Sequence, residues 1–434
     1  MKSIWKLGTD IPSFQALTGD VKTDVLIIGG GMAGLLCSYK LQKAGVDCIV
    51  AESGRICGGT TGNTTAKLTV QHGLIYDKLI REYSVEVANG YFLAQNQALQ
   101  EYRELCAGID CDFAEMPSFV YSCCDRKALE AEAAALEQIG CPCSLQENLS
   151  LPLPTIGGVR IDHQAQFHPL KFVSSIIDGL KIFENTKVLE LVPGGAVTQK
   201  GKISAEKIIV ATHFPFLNKH GMYFMKLYQH RSYVLALKNA QCVGGMYVDA
   251  DKKGLSFRNW ENMLLLGGGS HRTGKSGGCW QELEEFGRRH YPKAELVTKW
   301  ATQDCMSLDD IPYIGQYSKR TPDLYVATGF NKWGMTSSMV AANILCDLVQ
   351  GKENAFAHIF DPSRSMLHPQ LVVNAFESVK GLLTPTAPRC PHLGCALKYN
   401  KAEHSWDCAC HGSRFTEEGK VLNNPATADK KLSH

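Results

Sequence analysis

The pattern of apolar and polar residues near the start of the chain predicts a strand, a helix and a second strand. Residues 24–28 form a run that is apolar after Asp24, a glycine turn follows, residues 33–43 form a helical stretch, and residues 47–51 are again apolar after Asp47. Later apolar runs at residues 207–211 and 324–327 are short and flanked by turn residues, as buried strands of an α/β sheet are. The first part of the chain is therefore predicted to fold around a sheet with helices packed against it.

Beyond these strands the pattern changes. Residues 337–349 show helical periodicity and would pack against the sheet. Prolines then bracket one short helical pattern at residues 371–380, which favours a tether between two domains. From Cys390 onward the chain is rich in cysteine, histidine, glycine and short strands. This shift in composition predicts a separate small domain at the C-terminal end.

Length and charge narrow the function classes. The chain has 434 residues, enough for two or three domains of roughly 100–200 residues each. Its formal net charge of +2 leaves no electrostatic footprint for nucleic acid, so no nucleic-acid partner is expected. The first residues lack the apolar core of a signal peptide, and the most apolar stretch, residues 25–36, is too short to span a bilayer. A cytoplasmic protein without a membrane span is the expectation.

A glycine motif follows the first predicted strand. Gly29, Gly31 and Gly34 form G-x-G-x-x-G at the head of the predicted helix. In such a motif the glycines allow a tight turn, close approach of a pyrophosphate and close packing of helix on strand. Glu52 ends the second strand, 21 positions beyond Gly31, where a carboxylate can bind ribose hydroxyls. The motif predicts a dinucleotide site but does not decide between NAD and FAD.

Two further segments favour FAD. Residues 58–67 read GGTTGNTTAK and residues 329–335 read GFNKWGM, and both combine small and hydroxyl residues that can face a diphosphate and a ribityl chain. A second nucleotide site is not expected. The glycine-rich residues 267–272 place Arg272 where the third glycine of a fingerprint would fall, so they predict a tight turn at a strand end.

The C-terminal group of cysteines and histidines has the spacing of a metal site. Cys390-x-His392 is followed by Cys408-x-x-His411, and a Rieske centre takes two cysteines on one iron and two histidines on the other. A structural zinc site uses the same ligand types, although zinc fingers usually pair cysteine with cysteine and histidine with histidine. The spacing favours a [2Fe–2S] cluster and leaves zinc as the alternative.

The chain resembles the D-amino-acid-oxidase-like (glycine/sarcosine oxidase) family, and more narrowly the bacterial FAD-dependent oxidoreductases fused to a C-terminal Rieske domain. The shared stretches are TTGNTTAKLTVQHG, AQFHPLKF, IIVATHFP, DDIPYIG and ATGFNKWGMTSSM. The resemblance implies an α/β (α+β) FAD-binding Rossmann-like domain with an inserted β-rich substrate domain, plus a small all-β Rieske cluster-binding domain. The expected boundaries are residues 1–366 for the FAD-dependent oxidoreductase domain, 367–388 for a linker with a short helix, and 389–434 for a truncated Rieske domain.

The resemblance also implies site residues. It places a disulfide between Cys395 and Cys410, which would join the two loops that carry the cluster ligands Cys390, His392, Cys408 and His411. The residues implied to bind FAD are Gly29, Gly31, Gly34, Glu52, Thr60, Thr61, Asn63, Thr64, Val188, Gly329, Gly334, Met335 and Thr336.

The family's chemistry implies oxidation of a small amine or amino acid by hydride transfer to the flavin. Electrons would then pass through the cluster to an acceptor, for which a redox protein is one candidate. The alternative is a relay between redox proteins with no organic substrate. His72 and Arg231 are the leading catalytic candidates. The residues expected to line the flavin face are Gln71, His72, Tyr228, Arg231, Arg258 and Lys332.

Overall fold

The structure is a computed structural model that describes residues 2–251, 254–385 and 388–430. Within these residues the chain forms three β-sheets. The strands are β1 (Val21–Ile28), β2 (Cys48–Ala51), β3 (Lys67–Leu68), β4 (Ala114–Ser122), β5 (Ser144–Gln146), β6 (Gly157–Gln166), β7 (Lys181–Phe183), β8 (Val188–Val192), β9 (Gly195–Thr198), β10 (Lys202–Val210), β11 (Tyr228–Lys238), β12 (Met246–Asp249), β13 (Ser256–Trp260), β14 (Met263–Arg272), β15 (Glu295–Met306), β16 (Tyr313–Gln316), β17 (Leu324–Thr328), β18 (Leu397–Asn400), β19 (Ser405–Cys408), β20 (Arg414–Thr416) and β21 (Val421–Asn423).

Helices cover the sheets and join them. The α-helices are α1 (Met32–Lys43), α2 (Ile75–Glu82), α3 (Val85–Cys106), α4 (Arg126–Gln138), α5 (Pro169–Ile176), α6 (Tyr223–Lys226), α7 (Cys279–His290), α8 (Gly334–Val349), α9 (Ala357–Phe360) and α10 (Pro369–Leu383). None of the helices in the described residues is long and apolar enough to cross a membrane.

The first sheet has eight strands and contains the predicted strand–helix–strand unit. Its main path runs β16-β17-β10-β1-β2-β7. The strands β17, β10, β1, β2 and β7 pair in parallel, whereas β16 is antiparallel at one edge. Strand β1 is central, and its residues Val25, Leu26 and Ile27 are buried, as expected for a parallel sheet covered on both faces. Helices α1 and α8 pack together against this sheet. The strands and helices predicted from periodicity in this region are confirmed.

The second sheet has nine strands and is interleaved with the first along the chain. Its order is β15-β11-β14-β13-β12-β4-β6-β3, with β5 beside β6. All but one of its strand pairs are antiparallel, the exception being β12 with β4. Because the chain enters this sheet at β3 and leaves it at β15, between strands of the first sheet, it forms the inserted β-rich part that was predicted.

The prediction of a tight turn at residues 267–272 is wrong, because these residues are the second half of β14. Glycine there serves close strand packing: a Cβ on Gly267 would lie 2.5 Å from Ser256 Oγ. Gly269 has a φ of +59°, and the pairing of β14 with β11 shifts register beside it. A bulge at Gly269 therefore lets the strand continue to Arg272.

The third sheet, β18-β19-β20-β21, is antiparallel and contains the C-terminal motif. The helix ahead of it, α10, extends beyond the predicted residues 371–380 at both ends. Together the three sheets give the mixed α/β architecture with a small all-β C-terminal part that the sequence predicts.

Candidate functional site

The glycine turn after β1 leaves backbone amides open at the start of α1. Gly29 has a φ of +113°, and a Cβ there would lie 2.5 Å from the Ala211 carbonyl oxygen. A Cβ on Gly34 would lie 2.0 Å from the Gly29 carbonyl oxygen, so only glycine allows α1 to pack this close to the turn. Gly31 is the N-cap of α1 and provides no side-chain cap. The helix N-terminus is therefore shaped for a phosphate group.

The Glu52 carboxylate lies at the carboxyl end of β2 beside this turn. It accepts hydrogen bonds from the Gly30 amide at 2.7 Å and from the Gly54 amide at 2.8 Å. Thr61 approaches from the other side, where its hydroxyl accepts a hydrogen bond from the Met32 amide at 2.9 Å. The carboxylate is thus held at the edge of the turn where an adenosine ribose would lie.

A cavity of about 1430 Å³ extends from the glycine turn to the second sheet and on to the C-terminal module, which comprises residues 388–430 with the third sheet. Three of the predicted FAD residues do not line it: Gly34, in the first turn of α1, packs against the Gly29 carbonyl, Asn63 donates to the Gly59 carbonyl oxygen, and Thr336 is buried beside Thr69. The predicted residues that do line it are Gly29, Gly31, Glu52, Thr60, Thr61, Thr64, Val188, Gly329, Gly334 and Met335.

His72 lies on the cavity wall, and its ring is fixed by its neighbours. Its Nδ1 is 2.7 Å from the Tyr91 hydroxyl, its Nε2 is 2.9 Å from the Thr69 carbonyl oxygen, and its ring stacks on Trp333 at a centroid distance of 4.9 Å. Burial lowers the pKa of the His72 imidazole to about 3. A neutral, fully hydrogen-bonded imidazole of this kind can position a ligand but is poorly suited to accept a proton at neutral pH.

Arg231 lies away from the cavity. Its guanidinium pairs with both carboxylate oxygens of Glu403 in the C-terminal module. Of the other flavin-face candidates, Tyr228 and Lys332 line the cavity. Gln71 and Arg258 are buried elsewhere, the first bonded to the Val159 carbonyl oxygen and the second to the carbonyl oxygens of Thr65 and Ala66.

A chain of polar side chains crosses the cavity wall formed by β11, β14 and β15. The Lys332 ammonium lies 3.4 Å from Ser270 Oγ, Ser270 Oγ lies 3.2 Å from Ser232 Oγ, and Ser232 Oγ lies 3.4 Å from Asp304 Oδ2. Lys332 is open to the cavity, yet the surrounding protein desolvates it and lowers the pKa of its ammonium group. Burial raises the pKa of the Asp304 carboxyl. A cation and a carboxylate thus lie at opposite ends of one hydrogen-bonded row.

Sequence reasoning missed Asp304, Ser232 and Ser270. They belong to three different strands, and although Ser270 lies within the glycine-rich residues 267–272, nothing in the local sequence marks any of the three as part of a site. Only the antiparallel register, which places Ser232 opposite Thr302 and beside the bulge in β14, brings them together.

The predicted cluster ligands come together at the tips of two loops. The thiol of Cys390 forms a hydrogen bond with that of Cys408, and the imidazole rings of His392 and His411 lie 4.9 Å apart. Burial lowers the pKa of His392 to about 3 and that of His411 to about 4, so both imidazoles are neutral, as metal ligands must be. The Nδ1 of His392 is buried and has no hydrogen-bond partner. Two thiols, two neutral imidazoles and an unpartnered ring nitrogen fit a Rieske cluster.

The predicted disulfide between Cys395 and Cys410 is wrong for this structure. Both are free thiols, and their Sγ atoms form a group with that of Cys408 within 4.8 Å of one another rather than at the bonding distance of about 2.05 Å. The two thiols form hydrogen bonds with each other and with the Cys408 thiol, and Cys410 Sγ lies 3.5 Å from the Glu377 carbonyl oxygen. Hydrogen bonds among the three thiols therefore stand in place of a covalent bridge.

Helix α10 covers the two loops. A Cβ on Gly381 would lie 2.5 Å from Cys410 Sγ, so the helix backbone rests directly on this thiol. The Gly381 carbonyl oxygen accepts a hydrogen bond from the Ala396 amide at 2.9 Å and another from Arg389 at 3.0 Å. The segment predicted as a tether is thus also a lid over the cluster loops.

The C-terminal module docks on the second sheet through buried polar contacts. Gln229 Nε2 donates to the His411 carbonyl oxygen at 2.8 Å, and Gln303 Nε2 donates to the Gly412 carbonyl oxygen at 2.8 Å. Thr60, on the cavity wall, donates to the Gln303 carbonyl oxygen at 2.9 Å. The cluster loop and the nucleotide cavity are therefore separated by a single layer of side chains.

A dinucleotide turn opening on a large cavity, with a Cys–His pair of loops docked beside it, defines a flavoprotein that also carries an iron–sulfur cluster. Residues 24–348 match the FAD dependent oxidoreductase (DAO) family, and residues 361–432 match the Rieske [2Fe-2S] domain. The chain belongs to the DAO family of FAD dependent oxidoreductases and carries a C-terminal Rieske domain. FAD and a [2Fe–2S] cluster are accordingly its cofactors.

Two relatives and one solved structure show what the chain is similar to. It is 34% identical to a Bacillus subtilis (strain 168) protein named Rieske 2Fe-2S iron-sulfur protein YhfW, over 98% of this chain and 96% of that one. It is 23% identical to the gamma-glutamylputrescine oxidoreductase of Escherichia coli (strain K12), over 79% of this chain and 87% of the relative. The solved glycine oxidase from Geobacillus kaustophilus shares the fold, with a TM-score of 0.65, 20% identity and coverage of 80% of this chain and 99% of that chain.

Proposed function

We propose that this oxidoreductase oxidises a small amino acid or amine, and that the electrons leave through the Rieske cluster to a redox protein. The observation that carries the proposal is the row of Lys332, Ser270, Ser232 and Asp304 on the cavity wall. An amino acid carries a carboxylate and an ammonium group, and this row offers a cation for the first and a carboxylate for the second. The names of the amine oxidoreductase and the glycine oxidase above agree with this substrate class.

Each end of the row has a distinct role in the proposal. Lys332 binds the substrate carboxylate, with Ser270 holding its ammonium group in place. Asp304 accepts a proton from the substrate ammonium at its carboxylate, so that the amine nitrogen becomes neutral before oxidation. The raised pKa of Asp304 suits this role, because a base works best when its pKa approaches the working pH. His72, neutral and fixed, shapes the cavity and transfers no proton.

The FAD residues are proposed from their positions on the cavity wall. Gly31 and the start of α1 face the pyrophosphate, and Glu52 binds the adenosine ribose. Val188 meets the adenine through its backbone, and Gly329 and Met335 face the ribityl and flavin end. Bound FAD supplies acceptance of two electrons as a hydride, and the bound cluster supplies one-electron transfer.

The position of His392 supports an external acceptor. This residue is only half-buried, and its Nε2 bonds Asn218 at 2.9 Å near the protein surface. His411, by contrast, is buried against the second sheet. The proposed ligand set, Cys390, His392, Cys408 and His411, therefore has one side toward the second sheet and one side toward solvent. The cytoplasmic location expected from the sequence stays a prediction.

Anaerobic titration of the purified protein with a panel of amino acids and the matching decarboxylated amines tests the proposal. Visible absorption reports bleaching of the flavin, and EPR reports the reduced cluster. We expect amino acids to bleach the flavin and to produce the EPR signal of the reduced cluster. Less than one equivalent of amino acid per protein should be enough to show both changes.

Two variants and a control sharpen the result. Lys332→Met should weaken amino-acid binding at least tenfold, about 1.4 kcal/mol, and leave the matching amines unaffected, because only the former carry a carboxylate. Asp304→Asn should slow reduction by both classes. Lys319→Met, which removes an exposed lysine elsewhere, should change neither. If no amine or amino acid bleaches a flavin that dithionite bleaches, the relay without organic substrate replaces this proposal.

A further inference from the structure

Arg272 occupies the boundary between the FAD cavity and the cluster. It is the last residue of β14 and lines the cavity. Its Nε donates to the Ala409 carbonyl oxygen at 3.0 Å, and its Nη2 donates to the Cys410 carbonyl oxygen at 3.2 Å. Ala409 and Cys410 are the two residues between Cys408 and His411. One side chain of the flavoprotein part thus holds the backbone of the second cluster loop.

The third nitrogen of Arg272 reaches the linker helix. Its Nη1 donates to Asn374 Oδ1 at 3.0 Å, and Asn374 in turn donates to the Met225 carbonyl oxygen at 3.1 Å. Asn374 is the buried residue of α10, whose other side chains are at least partly exposed. Arg272 therefore ties together the cavity wall, the cluster loop and the lid helix.

The charge of Arg272 is not neutralised by direct contact. None of the ion pairs formed by the described residues includes it, and its guanidinium lies over the Tyr228 ring at 4.9 Å. Among acidic side chains, Glu377 has the largest effect on the pKa of Arg272, and it is itself paired with Lys275 at 2.6 Å. Backbone carbonyls, an amide and an aromatic ring leave the full positive charge beside the cluster loop.

We infer that Arg272 raises the reduction potential of the Rieske cluster and holds the second cluster loop against the FAD cavity. Reduction adds one negative charge to a cluster, and a fixed cation in a partly buried site stabilises that charge. Arg272 is on this account a positioning residue that favours electron flow from the cavity to the cluster. The inference rests on the proposed function only for that direction of flow.

The test is a mediated redox titration of the full-length holoprotein, with EPR detection of the reduced cluster. Arg272→Gln removes the charge and should lower the equilibrium constant for cluster reduction at least tenfold, which corresponds to about 59 mV for one electron. Arg272→Lys keeps the positive charge but loses the planar guanidinium and its several N–H donors. It should change the equilibrium constant for cluster reduction less than threefold. Arg320→Gln, an exposed arginine, is the control and should leave the potential unchanged.

A second variant guards against loss of the cluster in Arg272→Gln. Asn374→Asp places a carboxylate next to the guanidinium at nearly constant shape and should lower the potential in the same direction. If both variants keep iron and titrate within threefold of the wild type, the inference is overturned. The redox titration uses a chemical reductant, so its result does not depend on whether any amine reduces the flavin. Failure of the proposed function would appear instead in the anaerobic titration with amines and amino acids.

Discussion

The FAD-binding part, which comprises the first two sheets and their helices, and the C-terminal module, or Rieske module, have cores of different composition. The FAD-binding part has a large apolar core that includes Val25, Ile27 and Leu35. The core of the Rieske module consists of Cys390, Cys395, Leu397, Cys408, Cys410, Phe415 and Ala426, and four of these seven residues are cysteines. Hydrophobic burial therefore specifies the first part, whereas the second depends on the group that its thiols and imidazoles bind.

The remaining interior of the Rieske module is charged. Glu403 accepts hydrogen bonds from Arg231 of the second sheet and from Tyr233 at 2.9 Å, and it forms an ion pair with Arg414 at 2.9 Å, while Arg414 also pairs with Asp407 at 2.9 Å. Buried charges of this kind are costly unless every partner is present. This small module therefore depends for its stability on its cluster, on helix α10 and on ionic contacts with the second sheet rather than on an apolar core of its own.

The largest effect is expected from removing a cluster ligand. Cys408→Ser should abolish [2Fe–2S] binding and lower the protection of β19 and β20 against amide hydrogen exchange to that of an unfolded segment, because the module has little other core. FAD absorption and the protection of β1 should stay unchanged. Iron analysis and hydrogen-exchange mass spectrometry measure both. Cys242→Ser, an exposed cysteine, is the matched control. A variant that keeps the cluster would contradict the assigned ligand set.

The next effect concerns the ionic contact between the two parts. Glu403→Gln leaves Arg231 and Arg414 facing a neutral group and should cost about 3–5 kcal/mol in the local unfolding free energy of the module. Arg231→Met should cost less, since Glu403 keeps Arg414 and Tyr233. Hydrogen exchange of β19 gives the free energies. If Glu403→Gln and Arg231→Met lowered the local unfolding free energy of the module equally, Glu403 would not be the residue on which this ionic contact depends.

Two buried glutamates predict opposite responses to pH. Glu132 in the FAD-binding part accepts hydrogen bonds from the amides of Tyr76 and Asp77, and its burial raises the pKa from 4.5 to about 7. Its protonated form is the one that folding favours. The stabilisation is therefore complete below about pH 4.5 and lost by about pH 7, an amplitude of about 3 kcal/mol.

Glu403 responds the other way. Burial alone would raise its pKa, but the guanidinium groups of Arg231 and Arg414 outweigh burial and lower it. Its contribution is present above its unfolded pKa and is lost as the pH falls through the folded value. Denaturant unfolding at pH 8 and pH 5, followed by flavin fluorescence, should show the FAD-binding part more stable at pH 5, whereas EPR of the cluster should show the Rieske module losing stability only as the pH falls further, from pH 5 to pH 3. Glu132→Gln should remove the response of the FAD-binding part alone.

The smallest effect is expected at the lid helix. Gly381→Ala would place a Cβ 2.5 Å from Cys410 Sγ and 3.3 Å from Cys395 Cβ. Overpacking of this kind costs about 1–3 kcal/mol, which should appear as faster loss of iron to a chelator. Gly108→Ala is the control, because a Cβ there meets nothing within 4 Å. Unchanged iron release would mean that the lid moves away without cost.

The chemistry of both cofactor sites was predictable because their residues are close in the sequence. The glycines of the first turn, Glu52 and the two Cys–His pairs each lie within one or two local motifs, and the fold around them follows from apolar periodicity. The disulfide was not predictable in the same way. The resemblance to Rieske proteins implied a bridge between Cys395 and Cys410, yet whether the two thiols bond depends on distances that the packing of α10 and the neighbouring thiol of Cys408 decide.

The sequence alone therefore determined the fold class and the two cofactors, because short-range patterns encode turns, strands and ligand spacing, and most of the residues that it predicted to bind FAD line the cavity. The tertiary structure alone decided what lies between the two cofactors. Asp304, Ser232 and Ser270 form a polar row only through strand register, and Arg231 and Arg272 contact the Rieske module only because that module docks on the second sheet. Contacts between distant segments carry no local signal, so their partners become visible only when the chain is folded.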